Sequence, residues 1–308
     1  MQRAYINALN KLAQEDDRVV SVLADNGTDY DWLFQRDFPE RFFNVGIAEQ
    51  NMVAMGAGLS TCGYIPFVLT AGSFLAYRAY EFIRDDVCFP CRNVKLVASG
   101  GGMSISNLGS THHATEDLAN LRALPNLTIL SPASPAEVEA AVAEAYKIEG
   151  PVYIRMGMNG EKDFFPASRS GYPYQAQQIA DGTDAAIITT GSIAEQALAA
   201  AQKLTTLGIS TAVYVFSSIK PFDSETVLKL AAKVRLLATV EEHSITGGLG
   251  SAVAEVLCEL PEHAVLCRIG LAGVFSQGYG TLKQMYRMNG LDAEAIADRV
   301  LKTWRKLS

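Results

Sequence analysis

Along the first half of the chain, short uninterrupted apolar runs alternate with stretches of helical period. The runs are VVSVLA (19–24), IPFVLT (65–70), VKLVAS (94–99), LTILSP (127–132) and PVYIRM (151–156), and helical patterns fall between them, at SFLAYRAYEFIRDDV (73–87) and AEVEAAVAEAYKI (136–148) among others. Such alternation predicts a parallel sheet flanked by helices. Strands with no polar alternation are covered on both faces. From 157 to about 182 the chain is rich in Gly, Ser, Tyr and Gln and has no long periodic segment, which predicts a linker. The βα alternation then resumes with AAIITT (185–190), STAVYVF (210–216), RLLATVEE (235–242) and AVLCRI (264–269). The pattern predicts two doubly wound α/β domains, at 1–165 and 183–308, joined by a linker at 166–182. No internal repeat or low-complexity tract interrupts it.

One helix stands apart from the others. In RFFNVGIAEQNMVAMGAGLS (41–60), apolar residues wrap nearly all sides, Gly56 and Gly58 allow close packing, and a single acid, Glu49, opens the helix. A helix apolar all round is expected to be buried. A carboxyl in that setting loses hydration of its charged form, stays partly protonated and donates a hydrogen bond near neutral pH. The simpler alternative is an acid stabilised by the helix macrodipole.

Composition narrows the field. At 308 residues the chain is long enough for two domains with sizeable cores. No run of about twenty apolar residues suggests a membrane span, and the start MQRAYINALNKLAQEDDR lacks the apolar stretch of a signal peptide. A cytoplasmic protein is expected. The five cysteines (Cys62, Cys88, Cys91, Cys258, Cys267) are odd in number and scattered, so reduced thiols fit better than disulfides. Cys88 and Cys91 form a CxxC with no second pair or histidines nearby, which leaves no metal site expected in this chain. A net charge of -7 without a Lys/Arg cluster speaks against nucleic acid. Charged residues are only 19% of the chain, which suggests surface buried against another subunit.

The segment around Glu49 resembles the cofactor-activating motif of thiamine diphosphate enzymes of the transketolase family, and GSFLAYRAY, GSTHHATEDLANLRALPN, GSIAEQAL and EEHSITGGLGSAV extend the resemblance in order. It implies a pyrimidine-binding domain followed by a transketolase C-terminal domain. In the family, the glutamate matching Glu49 hydrogen-bonds the cofactor's aminopyrimidine and starts the proton shift that makes the cofactor nucleophilic. An aromatic matching Phe74 stacks on that ring, with the positions of Tyr77 and Tyr80 close by. Asp25, in LADNGTD, matches an aspartate near the cofactor across the subunit interface. The resemblance places His112 at the substrate channel, with His113 able to assist, since an imidazole relays protons near neutrality. Arg3 and Arg155 match arginines that grip a sugar phosphate, for which guanidinium forks are suited. Taken alone, an aromatic stripe is commonly core, a turn aspartate bonds its own backbone, and either arginine is equally able to form a structural salt bridge. Glu116, at the next helix start, suits the macrodipole. His243 has no assignable chemistry.

The pattern departs from the family in two ways. The chain has no GDG triplet with a following asparagine, the family's site for diphosphate and Mg2+. It is therefore expected to be the C-terminal subunit of a split transketolase, with an N-terminal partner holding Mg2+ and the diphosphate in an α2β2 heterotetramer. In VASGGGMSISNLG (97–109), Gly100 and Leu108 stand where sugar-phosphate transketolases carry a histidine and an aspartate that read the donor. Losing such readers alters discrimination between substrates. The reaction expected is transfer of a two-carbon ketol unit from an anionic, unusual ketose to an aldehyde. The β subunit of a 2-oxoacid dehydrogenase first component, a deoxyxylulose-phosphate synthase fragment and a non-catalytic α/β scaffold subunit are the alternatives.

Overall fold

The structure is a computed structural model that describes residues 1–25, 31–163, 172 and 174–307. The turn residues Asn26–Tyr30 and, within the expected linker, residues 166–171 and 173 lie outside the described residues. Each apolar run expected to be a strand is one. The first half contains α1 (Gln2–Glu15), β1 (Val19–Leu23), α2 (Asp31–Asp37), β2 (Phe42–Asn44), α3 (Glu49–Thr61) and β3 (Ile65–Ala71). Two π-helical turns, Phe74–Arg78 and Ile83–Cys88, follow on either side of α4 (Tyr80–Phe82). Next come β4 (Lys95–Ser99), α5 (Asp117–Arg122), β5 (Thr128–Leu130), α6 (Pro135–Lys147) and β6 (Val152–Met156).

The second half contains β7 (Gln177–Ala180), β8 (Ala185–Thr189), α7 (Ala194–Thr206), β9 (Thr211–Val215), β10 (Ser218–Lys220), α8 (Ser224–Lys233), β11 (Leu236–Ser244) and α9 (Leu249–Leu257). It ends with β12 (Val265–Leu271), α10 (Leu282–Met288) and α11 (Ala293–Trp304). The first sheet has the order β10-β5-β6-β4-β3-β1-β2 and is parallel except for β10, and the second, β12-β11-β8-β9-β7, is parallel except for β7. Thus Ser218–Lys220, from within the stretch assigned to the second domain, completes the first sheet, and the end of the expected linker forms an edge strand. Neither has the apolar run that marks a central strand.

On one face of the first sheet, α1 and α6 bury Ile6, Leu9, Val138 and Val142. On the other, α3 presses so closely that a Cβ on Gly56 would lie 2.7 Å from Cγ1 of Val68. The apolar cluster on that face continues through Phe216, Ile188 and Leu237 to Val253 of α9, so the two domains share one core. No described helix is long and apolar enough to cross a membrane.

Four neighbouring parallel strands, β4, β3, β1 and β2, decide where function sits. At their carboxyl ends the chain leads respectively into the loop 100–116, the Phe74 turn, Asp25 and Glu49. Ligands of open α/β sheets bind at that edge.

Candidate active site

Glu49 sits in the first turn of α3 and is only 1% exposed. It is not surrounded by apolar groups alone, as its helix suggested. Its Oε2 accepts a 2.7 Å hydrogen bond from Nη1 of Arg78, a side chain that remains 44% exposed. Arg78 lies in GSFLAYRAY, four residues after Phe74, at a spacing that puts the two side chains on one helical face; the aromatic period of that segment gives no sign of it. The expectation of a wholly buried α3 also fails within the chain. Met55 and Leu59 of α3 are only partly buried, and in the segment leading into it Val45 is partly buried and Ile47 is 76% exposed.

The Arg78 guanidinium also lies over the Phe74 ring, 4.9 Å from its centroid, and Phe74 meets His112 edge-on at 5.1 Å. Glu49, Arg78, Phe74 and His112 therefore form one connected line of side chains. Phe74 and Arg78 bound a π-helical turn, a local irregularity frequent at functional sites. His112 is half-buried, and its Nδ1 lies 3.0 Å from Oγ1 of Thr111. Asp25 stands exposed at φ +48 and accepts a 3.0 Å bond from Nδ2 of Asn44, whose Oδ1 accepts from the amide of Gly46. Asn44 thus links Asp25 to the chain leading into α3.

Tyr77 and Tyr80 face α5. The Tyr77 hydroxyl donates to Oε2 of Glu116 at 2.7 Å and accepts from the Glu116 amide at 2.9 Å. Loss of hydration, with Asp117 and Glu116 nearby, raises its pKa far above the phenolic range. The Tyr80 hydroxyl donates to the Asn120 carbonyl at 3.3 Å. Tyr77 braces the end of the loop that carries His112, and Tyr80 braces the helix α5 that follows it.

His113 and Arg155 are turned to other work than their expected substrate contacts. His113 is buried, with Nδ1 against Oγ of Ser276 and Nε2 3.2 Å from the Ile105 carbonyl, and burial lowers its pKa. It ties the loop to the second domain. Arg155 is 3% exposed. Its Nε donates to Oδ2 of Asp117 at 2.8 Å, and its Nη2 to the carbonyls of Ala114 (2.9 Å) and Glu242 (3.1 Å). A guanidinium so committed has no fork to offer a phosphate, and the reading as a structural salt bridge fits it. The carboxyl partner, Asp117, and Glu242 lie in GSTHHATEDLANLRALPN and EEHSITGGLGSAV, segments that carry the family resemblance without marking either residue for a role. Arg3, by contrast, is exposed on the first turn of α1, whose Gln2 side chain donates 3.0 Å to Ser99 at the carboxyl end of β4. Leu108 is 48% exposed, and Gly100 adopts φ +73.

Behind the loop, three consecutive residues of β11, Glu241, Glu242 and His243, are buried, the latter two against the first domain. Glu241 accepts the amides of Leu249 (2.8 Å) and Gly250 (2.9 Å) at the start of α9, as expected of an anion at a helix N-terminus. Glu242 accepts from the Met103 amide at 2.5 Å and from the Tyr286 hydroxyl at 3.0 Å. His243 donates from Nδ1 to the Ser244 carbonyl at 2.7 Å and accepts the Ala119 amide at Nε2. Burial dominates all three, pushing both glutamates up to about 7 and lowering the histidine. Among the described residues no group of three or more His, Cys, Asp or Glu is placed to hold a metal ion.

Two α/β domains that bring Glu49, Arg78, Phe74 and His112 to one sheet edge are the arrangement that the transketolase resemblance implies. Comparison with known proteins agrees: the transketolase pyrimidine-binding domain family matches residues 1–159 and the transketolase C-terminal domain family residues 174–296. The chain belongs to the transketolase family, whose chemistry depends on thiamine diphosphate, and corresponds to the C-terminal subunit of its split members. A putative transketolase C-terminal section from Methanocaldococcus jannaschii is 36% identical over 99% of this chain and 96% of its own length. One of the subunits of an apulose-4-phosphate transketolase from Actinobacillus succinogenes is 35% identical over 87% of this chain and 86% of its own. The structure of a split-gene transketolase, an inactive β4 tetramer, matches with a TM-score of 0.87 at 39% identity, covering 99% of this chain and 97% of that one.

The buried ion pair and the buried glutamate can each be tested. Arg155→Ala leaves Asp117 as a buried charge without its partner, and it is expected to destabilise the chain by about 3–5 kcal/mol in urea unfolding, with partial recovery when Asp117→Asn is added. An unchanged midpoint for Arg155→Ala would remove the ion pair from the fold's foundations. The second prediction concerns pH. Glu242 has a folded pKa above its ordinary value of 4.5, so its contribution is fully present below about 4.5 and is lost as pH rises through about 7. His113 and His243, lowered by burial, act in the opposite direction, so the measurement must be differential. Relative to Glu242→Gln, the parent chain should lose about 1–3 kcal/mol between these limits. A difference constant with pH in denaturation midpoints would show that Glu242 does not titrate there.

Proposed function

We propose that this chain supplies the aminopyrimidine side of a thiamine diphosphate site and, with an N-terminal subunit that brings Mg2+ and the diphosphate-binding domain in an α2β2 assembly, transfers a two-carbon ketol unit from an anionic ketose to an aldehyde. The observation that carries this reading is the contact of Arg78 with both Glu49 and Phe74. A planar guanidinium that donates to the carboxylate while lying on the aromatic face makes the two contacts an aminopyrimidine requires, so these residues fit that ring, with Arg78 as its stand-in. When bound, thiamine diphosphate supplies the carbanion chemistry beside a carbonyl that no side chain provides.

The chain's own part is binding, orientation and proton handling. Phe74 offers a flat wall that orients the ring and excludes water. Glu49 holds a proton at Oε2 against the ring nitrogen once Arg78 has swung aside, and Asp25, with Asn44, flanks that position from the neighbouring strand. His112, edge-on to Phe74, exchanges protons with the hydroxyl or carbonyl of the sugar. Tyr77 keeps the end of the His112 loop in place, and Tyr80 the helix α5 behind it. Arg3, exposed beside the carboxyl end of β4, is the cation that fits an anionic tail. The name of the Actinobacillus relative, apulose-4-phosphate transketolase, supports a phosphorylated ketose that is not an ordinary one. The exposed Ile47 just before α3, with the partly buried Met55 and Leu59 of the helix, fits cover by another subunit.

In the reconstituted pair, Glu49→Ala should preserve assembly and lower turnover about 10²- to 10⁴-fold, the scale of a proton-transfer contribution. The decisive measurement is exchange of the cofactor's C2 proton; exchange at the parental rate would take Glu49 out of the mechanism. Arg3→Ala should raise KM for a phosphorylated ketose while leaving kcat nearly unchanged, because remote anion binding is shared by ground and transition states. Equal KM values for the two proteins would sink the assignment of Arg3.

A further inference from the structure

The EEH triplet at 241–243 lies at the end of β11 in the second domain, away from Glu49 and Phe74, yet the loop that carries His112 rests on it. That loop, residues 100–116, is pinched at its base, where Gly102 and Ala114 exchange backbone hydrogen bonds of 3.1 and 2.9 Å. Directly beneath the pinch lies the carboxyl of Glu242. Its Oε1 accepts the Met103 amide, and its Oε2 accepts the Tyr286 hydroxyl of α10, while its own carbonyl accepts Nη2 of Arg155. The approach is close enough to restrict the sequence above it. Gly102 has φ +64, and a Cβ there would collide with the Glu242 carboxyl.

The rest of the loop is tied to the same domain. The Gly280 amide donates to the Ser106 carbonyl at 3.2 Å, Oγ of Ser110 to the Ser276 carbonyl at 2.6 Å, and the Ser244 amide to the Thr115 carbonyl at 2.7 Å. Within the first domain, the Asn159 side chain holds the Ser104 carbonyl. A buried acceptor that binds a loop amide fixes that loop more firmly than a solvated one, because breaking the contact strands both groups.

We infer that Glu242 is a positioning residue for the ketol transfer: from the second domain it sets the course of the loop 100–116, and through the loop the placement of His112 against the substrate side of Phe74. The inference rests on the reading of His112 as the substrate-facing imidazole. It gives the C-terminal domain a task in this chain, that of templating the substrate loop, while the cofactor-facing residues Glu49 and Phe74 belong to the first domain alone.

The test compares Glu242→Ala, Glu242→Gln and Tyr286→Phe with the parent chain. Amide hydrogen exchange on the isolated chain should show protection at Met103 and its loop neighbours falling about tenfold or more in Glu242→Ala, less in Tyr286→Phe, and little in Glu242→Gln, which keeps an amide oxygen as acceptor. In the reconstituted pair, Glu242→Ala should raise KM for the ketose by about tenfold or more, the scale of a misplaced binding group, with the C2-proton exchange of the cofactor unchanged. A merely structural role would reduce exchange and turnover together at constant KM. Should Glu242→Ala fail to fold, Tyr286→Phe and Glu242→Gln carry the same comparison. Unaltered protection at Met103, or an unaltered KM with deprotected Met103, overturns the inference. Lost protection in a pair that never shows ketol transfer would instead leave the loop contact standing and overturn the functional reading.

Discussion

The buried ion pair of Arg155 with Asp117 is the contact on which the rest of the arrangement depends. Two charges removed from water are tolerated only when nearly every polar atom finds a partner. Here Asp117 Oδ2 takes both Nε of Arg155 and the Tyr153 hydroxyl, and Nη2 of Arg155 donates to the Ala114 and Glu242 carbonyls, while the other Asp117 oxygen is buried with no hydrogen bond of its own. Each of those partners belongs to a different piece: the start of α5, the end of the His112 loop, strand β6 and strand β11. The pair therefore fixes the relative position of the two sheets and of the loop between them. His243, with Nε2 3.9 Å from the other Asp117 oxygen, completes the surroundings as a neutral ring.

From that anchor the site grows outward in decreasing burial. Tyr153, Arg155, Asp117, Glu242 and His243 form a dry floor, Phe74 and His112 a half-buried wall, and Arg78, Asp25 and Arg3 an accessible rim. The gradient has a physical use. Groups that hold geometry are those deprived of water, whereas the groups at the rim keep their hydration. Arg78 illustrates the second kind, since its charge pairs with a buried carboxylate while nearly half of its side chain stays in solvent.

Several elements were plain in the sequence because they rest on local or periodic signals. The uninterrupted apolar strands announce a doubly covered parallel sheet, and the carboxyl-end loops of such a sheet are where a site belongs. Glu49, Phe74 and His112 stood out for their motifs, and the fold does bring them onto one edge, joined through Arg78. The strand at 218–220 was not legible, since three residues of mixed polarity acquire strand character only by pairing with Leu130 and Ile129 far away in the chain. The uncovered side of α3 was likewise invisible, for apolarity around a helix does not say which chain covers it.

The roles of the charged residues mark the boundary most clearly. Sequence alone determined the fold class and the family, because these follow from hydrophobic period and from short motifs whose residues are neighbours along the chain. Whether Arg155 faces a phosphate or an aspartate, whether Glu49 stands alone or beside Arg78, and whether His113 assists His112 or holds Ser276 were decided only in three dimensions. A charge's role is set by the partner within a few ångströms and by the water left around it, and both are supplied by residues as distant in sequence as Glu242 is from Met103.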